Sequence, residues 1–302
     1  MVWLSAQVTY EAASAIFERI GHCHIPSVSI WRQTQKHGQR LEQTAQQEAV
    51  RVSIERTVLA GQRESQQRRK GISLDGGMVN IRGEGWKEFK VGTIFEVEQR
   101  WERDPQTQEL VQVPHGVDMV YTAVLGGPSD FAPILWRLAV EQHIPQTDDT
   151  SVTADGAEWI WNLTMDLFPD SLQIVDWFHA CQHLSQAASA LFPDDLGRAK
   201  RWYANTLDDL FHGSAASIAH ELERANLPDC ARYFRVHQRR MQYQEFREDG
   251  YPIGSGTVES GVKQFKTRLT GPGMRWSRPA ARQMLLIRAS VLDRSFDTRW
   301  AA

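Results

Sequence analysis

The chain is poor in cysteine, has no long apolar run and carries no strong net charge, and each shortage narrows what it can be. Only three cysteines occur, Cys23, Cys181 and Cys230, and no two stand as Cys-x-x-Cys. A disulfide framework or a zinc ribbon is therefore not expected. No apolar stretch approaches the roughly 20 residues that cross a bilayer. Met1 to Ala6 has no basic segment leading into an apolar one, so a secretory signal is not expected and a cytoplasmic location follows. A net charge of −3 over 302 residues does not mark a polyanion binder by its sum. With 41% hydrophobic and 24% charged residues the composition is globular, enough for one large domain and a smaller one.

Charge distribution says more than its total. From Gly261 to Ser290 there are seven basic residues, Lys263, Lys266, Arg268, Arg275, Arg278, Arg282 and Arg288, and no acid. Such a stretch on a folded domain makes a local positive field suited to a phosphate backbone, although a solvated helix face would give the same pattern.

Residues 1–70 read as helical. Ala13, Ile16, Phe17 and Ile20 recur at helical spacing, Gly21 breaks the run, and Ser27 to Trp31 begins a second short helix. Two helices around a glycine turn suggest a helix-turn-helix, a pattern shared with many helix pairs that touch no DNA. Arg40 to Lys70 is rich in Gln, Glu and Arg and reads as a polar helix or linker closed by Arg68-Arg69-Lys70.

From Gly71 the period changes. Ile72–Ile81, Phe89–Arg100 and Val117–Leu125 read as strands, Ser129 opens a helix, and Thr150–Ala154 is a strand. Glu158–Phe168 is a helix and Leu172–Val175 a strand. Three strands, a helix, a strand, a helix and a strand suit an antiparallel meander continued by parallel strands. That order is the ribonuclease H-like arrangement, an α/β fold in which the first and fourth strands are neighbours. Residues 71–184 would form the first part of this core, 185–250 an all-helical insertion, and 251–302 the last helices, with the basic face.

Three acids stand in distinct settings: Asp75 in Leu-Asp-Gly-Gly, Asp155 in Thr-Ala-Asp-Gly-Ala-Glu-Trp, and Glu259 in Gly-Ser-Gly-Thr-Val-Glu-Ser. Two strand-end aspartates and a helix-borne glutamate, brought together, can hold two divalent cations, the minimal apparatus for phosphodiester chemistry. The helix dipole would favour Glu259 near a helix amino terminus without any such role.

Together these segments, with Val175-Asp176-Trp-Phe-His179 and Gly271-Pro-Gly-Met-Arg275-Trp276, resemble a DDE transposase of bacterial insertion sequences. The nearest likeness is to the ISKra group, allied to Mutator-like transposases with a helical insertion, and it runs from about Tyr10 to Trp300. The resemblance implies Asp75, Asp155 and Glu259 as catalytic triad and metal ligands, and Asp176 with His179 as an accessory Asp-x-x-His signature. It implies two Mg²⁺ ions, replaceable by Mn²⁺, and DNA as partner, both the element's terminal inverted repeats and the target. Lys263, Lys266, Arg268, Arg275 and Arg278 would bind DNA, and a homodimer or larger assembly would form on it. Longer relatives would carry further amino-terminal sequence with cysteine pairs, so a shortened chain is expected. A transposase-derived DNA-binding protein, or a ribonuclease H-like nuclease without strand transfer, are the alternatives.

Other residues have plainer readings. His179, Cys181 and His183 have helical spacing that could bind Zn²⁺, yet such pairs more often pack. Glu158 reads as an exposed helix-start acid. Trp159, Trp161 and Trp177 read as core, and Trp276, between Arg275 and Arg278, as either core or base-stacking.

Overall fold

The computed structural model describes residues 1–59, 69–103 and 108–301. Three helices open the chain: α1 (Val2–Ser5), α2 (Tyr10–Arg19) and α3 (Ser27–Leu59). Strands β1 (Lys70–Ile81), β2 (Gly85–Arg103) and β3 (Leu110–Leu125) follow, then α4 (Pro128–Glu141), β4 (Thr150–Ala154), α5 (Glu158–Leu167) and β5 (Leu172–Val175). Five helices come next: α6 (Trp177–Leu191), α7 (Leu196–Phe211), α8 (Ala215–Arg224), α9 (Pro228–His237) and α10 (Tyr243–Glu248). Helices α11 (Gly256–Leu269), α12 (Arg278–Leu292) and α13 (Phe296–Ala301) close it.

The five strands form one mixed sheet in the order β3-β2-β1-β4-β5. β1 is antiparallel to β2, which is antiparallel to β3, while β1, β4 and β5 run parallel. The expected neighbourhood of the first and fourth strands is thus present. β1 switches its buried face halfway. Ile72 and Leu74 point into one core with α4 to α10. Val79 and Ile81 join the other, with α11 and α12. Gly76 and Gly77 lie between. A Cβ on Gly77 would fall 2.3 Å from the Phe89 ring, so the Asp-Gly-Gly segment serves cross-strand packing inside the strand.

One expectation for the amino-terminal segment needs correcting. The second helix is not short: α3 runs from Ser27 to Leu59, well into the stretch read as helix or linker, and Arg68 lies outside the described residues. Its buried positions, Ile30, Thr34, His37, Leu41, Ala45 and Ala49, follow helical spacing but include small and polar residues, which hid the stripe. The amino-terminal helices pack against the rest of the chain. α3 packs along α4 and α12, and Val2, Ala6 and Leu41 share a core with Phe265 and Leu285. Arg69 and Lys70 are anchors: Arg69 pairs with Asp149 at 2.8 Å, and the buried Lys70 donates to the Gln142 carbonyl.

The helices α6 to α10 do lie between β5 and α11, but the expected boundary at residue 185 falls within α6. The first turn of α6 presents the site and its later turns join the helical cluster, so one rigid element serves both.

Candidate functional site

Register brings three aspartates to one level. Leu74 pairs with Ala154 and Ala154 with Val175, so Asp75, Asp155 and Asp176 are the next residues on three adjacent parallel strands. At about 4.8 Å between strands, Asp75 and Asp155 are immediate neighbours and Asp176 stands one strand further. β4 and β5 end there. β1 does not, so Asp75 is a mid-strand residue and not a strand-end one as expected.

Asp155 sits on a shaped turn. Its Oδ1 accepts the Ala157 N–H at 2.9 Å, and Gly156 follows with φ +103°, a conformation that disfavours any side chain. Helix α9 fastens this turn from below. The Tyr233 hydroxyl donates to the Asp155 carbonyl at 3.1 Å, and His237 reaches the Gly156 backbone. His183 stacks on Tyr233 with ring centroids 3.6 Å apart. Burial, then the Arg240 charge, lowers the His237 pKa to about 4, so it is neutral at pH 7.

Asp176 caps α6 and is fully buried. Its Oδ1 accepts the His179 backbone N–H at 2.8 Å and lies 3.0 Å from His179 Nδ1, which therefore carries a proton, because a carboxylate only accepts. Its Oδ2 accepts the Ser255 N–H. Burial alone would raise its pKa, but the hydrogen bonds from His179 and Ser255 outweigh it and hold the carboxyl below its ordinary value. His179 moves the other way, raised first by the hydrogen bond to Asp176, then by the charges of Asp176, Asp155 and Glu259.

The Ser255 bond to Asp176 ties the start of α11 to the end of β5. Glu259, in the first turn of α11, places Oε1 3.8 Å from His179 Nδ1 and 3.5 Å from Ser255 Oγ. Asp176, His179 and Glu259 each offer a ligand atom within 4.8 Å of the others. Both Asp176 oxygens are already engaged, so a cation there would compete with two backbone N–H groups. Asp176 is better fitted to orient His179 than to ligate.

Asp75 and Asp155 have capacity to spare. Asp75 Oδ1 accepts the Gly76 N–H at 2.6 Å, and among the described residues Oδ2 of neither aspartate accepts a hydrogen bond. Burial, reinforced by the charge of Asp155, pushes the Asp75 pKa up to about 6, against the Gly76 N–H, Lys266 and His179. Two neighbouring carboxylates with open oxygens, one of them disfavoured as an anion, fit a hard divalent cation that relieves their repulsion. Glu259 is not grouped with these two: among the described residues its neighbours at ligand distance are Asp176 and His179, and His179 is the group that also feels the Asp155 charge.

The basic stretch divides. Lys263, Lys266 and Arg275 are exposed, with Lys263 Nζ 3.7 Å from Glu259 Oε2. Arg278 forms a two-pronged pair with Glu84, and Arg282 pairs with Glu42. Arg268 is not on the expected surface. It is 3% exposed, its Nε donates to the Ser5 carbonyl at 2.6 Å, and its guanidinium lies between the Tyr10 and Trp276 rings. Trp276 is likewise buried, its Nε1 donating to the Leu269 carbonyl, so the core reading holds for it. His179, Cys181 and His183 do not assemble as a zinc set. Cys181 meets Tyr203, burial lifts its thiol to about 11, and His183 is on the Tyr233 ring. Glu158 is exposed at the start of α5, as expected. Tyr233 and His237 escaped sequence reading, since their four-residue spacing carries no meaning until α9 is known to lie under Asp155.

Compared with known proteins, the chain matches no protein-family model and no curated sequence.

Proposed function

We propose that this chain is a DDE-type polynucleotidyl transferase, cleaving DNA at the ends of an insertion sequence and joining the exposed 3′ ends to target DNA. The observation that carries the reading is the β1–β4 register, which sets Asp75 beside Asp155 across 80 residues of sequence; Glu259, on α11, comes within 3.8 Å of His179, whose ring feels the Asp155 charge. The sheet order with parallel β1, β4 and β5 supports a ribonuclease H-like core, and the position of α6 to α10 between β5 and α11 supports reading them as its helical insertion.

Asp75, Asp155 and Glu259 would hold two Mg²⁺ ions. When bound, such a pair activates the attacking water or 3′-hydroxyl and stabilises the leaving oxygen of the phosphodiester. The chain's own groups do the positioning. Asp176 keeps the His179 proton on Nδ1 and fixes the ring. His179, raised towards its charged form, balances the surrounding carboxylates. Lys266, exposed beside Asp75, offers a cation to an incoming phosphate. Pairing of two element ends calls for a dimer or larger assembly on DNA, visible as a change in sedimentation when duplex is added.

The test is incubation of the full chain with labelled duplex taken from the DNA flanking its coding sequence, with Mg²⁺ or Mn²⁺. Nicks with 3′-hydroxyl ends, followed by joining to a plasmid, are expected. Asp75→Asn, Asp155→Ala and Glu259→Gln should each lose at least about a hundredfold in rate. Absence of nicking by the wild type overturns the enzyme reading, nicking that survives Asp155→Ala overturns the site, and nicking without joining marks a nuclease.

A further inference from the structure

A second site lies at the far end of β1. There the α2–α3 pair and the segment Gly273 to Ser277 enclose a cavity of about 560 Å³. Main-chain bonds of Trp276 to Asn80 and of Arg82 to Trp276 hold that segment against the end of β1, with Arg82 and Arg275 exposed at the cavity mouth. One wall is the amino terminus of α3, a 33-residue helix. Ser27 and Val28 line the cavity, and the residue before them, Pro26, has no side chain able to cap their N–H groups. The first turn holds no acid. The positive end of a long helix is left uncompensated.

The floor gives an independent sign. Arg268 lines the cavity and is 3% exposed, yet its Nη2 has no hydrogen-bond partner among the described residues. Next to it the buried Tyr10 hydroxyl interacts with both Arg268 and Gln35. A buried guanidinium and an amide that share one hydroxyl have more donors than that oxygen can accept, and under a helix amino terminus beside two further arginines they suit an anion with several oxygens. Exposed Glu11 is the single acid in the lining, against three arginines. Trp31, 45% exposed on the wall, adds an apolar face of the kind that lies against a sugar or base.

We propose that this cavity is a phosphodiester-binding site that grips the backbone of the DNA acted on at the carboxylate centre. The proposal rests on the function argued above and adds a place and a spacing. Asp75 and Arg82 are seven residues apart along β1, about 23 Å of extended chain. In B-form DNA that is about seven base pairs. Helix α11 packs on β1 and leads from Glu259 to Leu269, whose carbonyl accepts from Trp276 in the cavity lining, with Lys263 and Lys266 exposed along it, so one backbone can run from the carboxylates over α11 into the cavity.

The experiment measures fluorescence anisotropy of a labelled duplex with the full chain in EDTA, which separates binding from cleavage. Arg82→Ala with Arg275→Ala should weaken binding roughly tenfold at 100 mM salt. It should also flatten the slope of log affinity against log salt by about one to two, the signature of lost phosphate contacts. On duplexes extending fewer than about seven base pairs from the scissile phosphate, wild type and double variant should bind alike. Unchanged affinity and salt slope in the double variant, or a wild type that binds no DNA at low salt, overturns the proposal. If those results come from a wild type that still nicks with Mg²⁺, the cavity assignment fails and the function stands. If the double variant loses binding as expected while the wild type never nicks, the cavity stands and the chemistry fails.

Discussion

Asp75 is held where its own negative charge is disfavoured, and that has a measurable cost. Its folded pKa, about 6, lies above the ordinary aspartate value of 3.8, so between those values the folded chain binds more protons than the unfolded one. Stability therefore falls as pH rises through that window, by a total on the order of 2–3 kcal/mol from this group. Asp75→Asn keeps the shape and removes the charge. In EDTA at pH 7 it should unfold at higher urea than the wild type, and the difference should shrink as pH is lowered toward 4. A variant less stable than wild type at pH 7 would mean the carboxylate is instead stabilised by a partner. The trade of stability for a poised carboxylate is common at functional sites. Arg268 shows the opposite case at this scale. The sequence presents it as one more surface cation, but it is buried with its Nε on a backbone carbonyl.

At the scale of elements, α9 is the unexpected contributor. It belongs to the helical cluster between β5 and α11, yet it fastens the Asp155 turn through Tyr233 and His237. A Cβ added at Gly156 would meet Tyr233 Cε2 at 2.9 Å on a backbone at φ +103°. Gly156→Ala should therefore cost about 1–3 kcal/mol in urea unfolding. Tyr233→Phe removes only the hydroxyl and should cost about 1 kcal/mol in stability, with a larger proportional loss in nicking rate because Asp155 is less well held. A Tyr233→Phe chain that nicks at the wild-type rate would reduce α9 to packing. Strands β4 and β5 were legible to the residue because β-branched and apolar residues fill short runs between turn signals. β2 extends beyond expectation at both ends, where charged residues break the alternation, and β3 begins earlier than expected, at Leu110, because Pro114 and Gly116 read as turn residues.

The whole molecule is closed by its two ends. Arg288 donates to the Ala6 carbonyl and the Gln7 side chain, Arg268 to the Ser5 carbonyl, and Val2 and Ala6 pack in the core of α11 and α12. Removing residues 1–26 would expose that core and leave two buried guanidiniums short of acceptors, at about 1–3 kcal/mol for each unsatisfied group. Such a chain should be largely insoluble or unfold without a cooperative transition, as followed by circular dichroism on heating. A truncated chain that melts cooperatively near the wild-type temperature would show the amino-terminal helices to be dispensable to the fold. Among the described residues no helix is long and apolar enough to cross a membrane.

The local readings came from local causes. Alternation, turn residues and apolar spacing specify an α/β chain with strands at Thr150–Ala154 and Leu172–Val175, a helix after Asp176 and another after Ser255. The same residues single out Asp75, Asp155 and Glu259 as acids in separate settings. What only the tertiary structure decided is neighbourhood. The parallel register sets three aspartates at one level, Ser255 ties the Glu259 helix to Asp176, and α9 comes up beneath Asp155. It also decided which basic residues face solvent, since helical spacing does not say which face is covered, and the segment that covers Arg268 and Arg288 lies some 260 to 280 residues away in sequence.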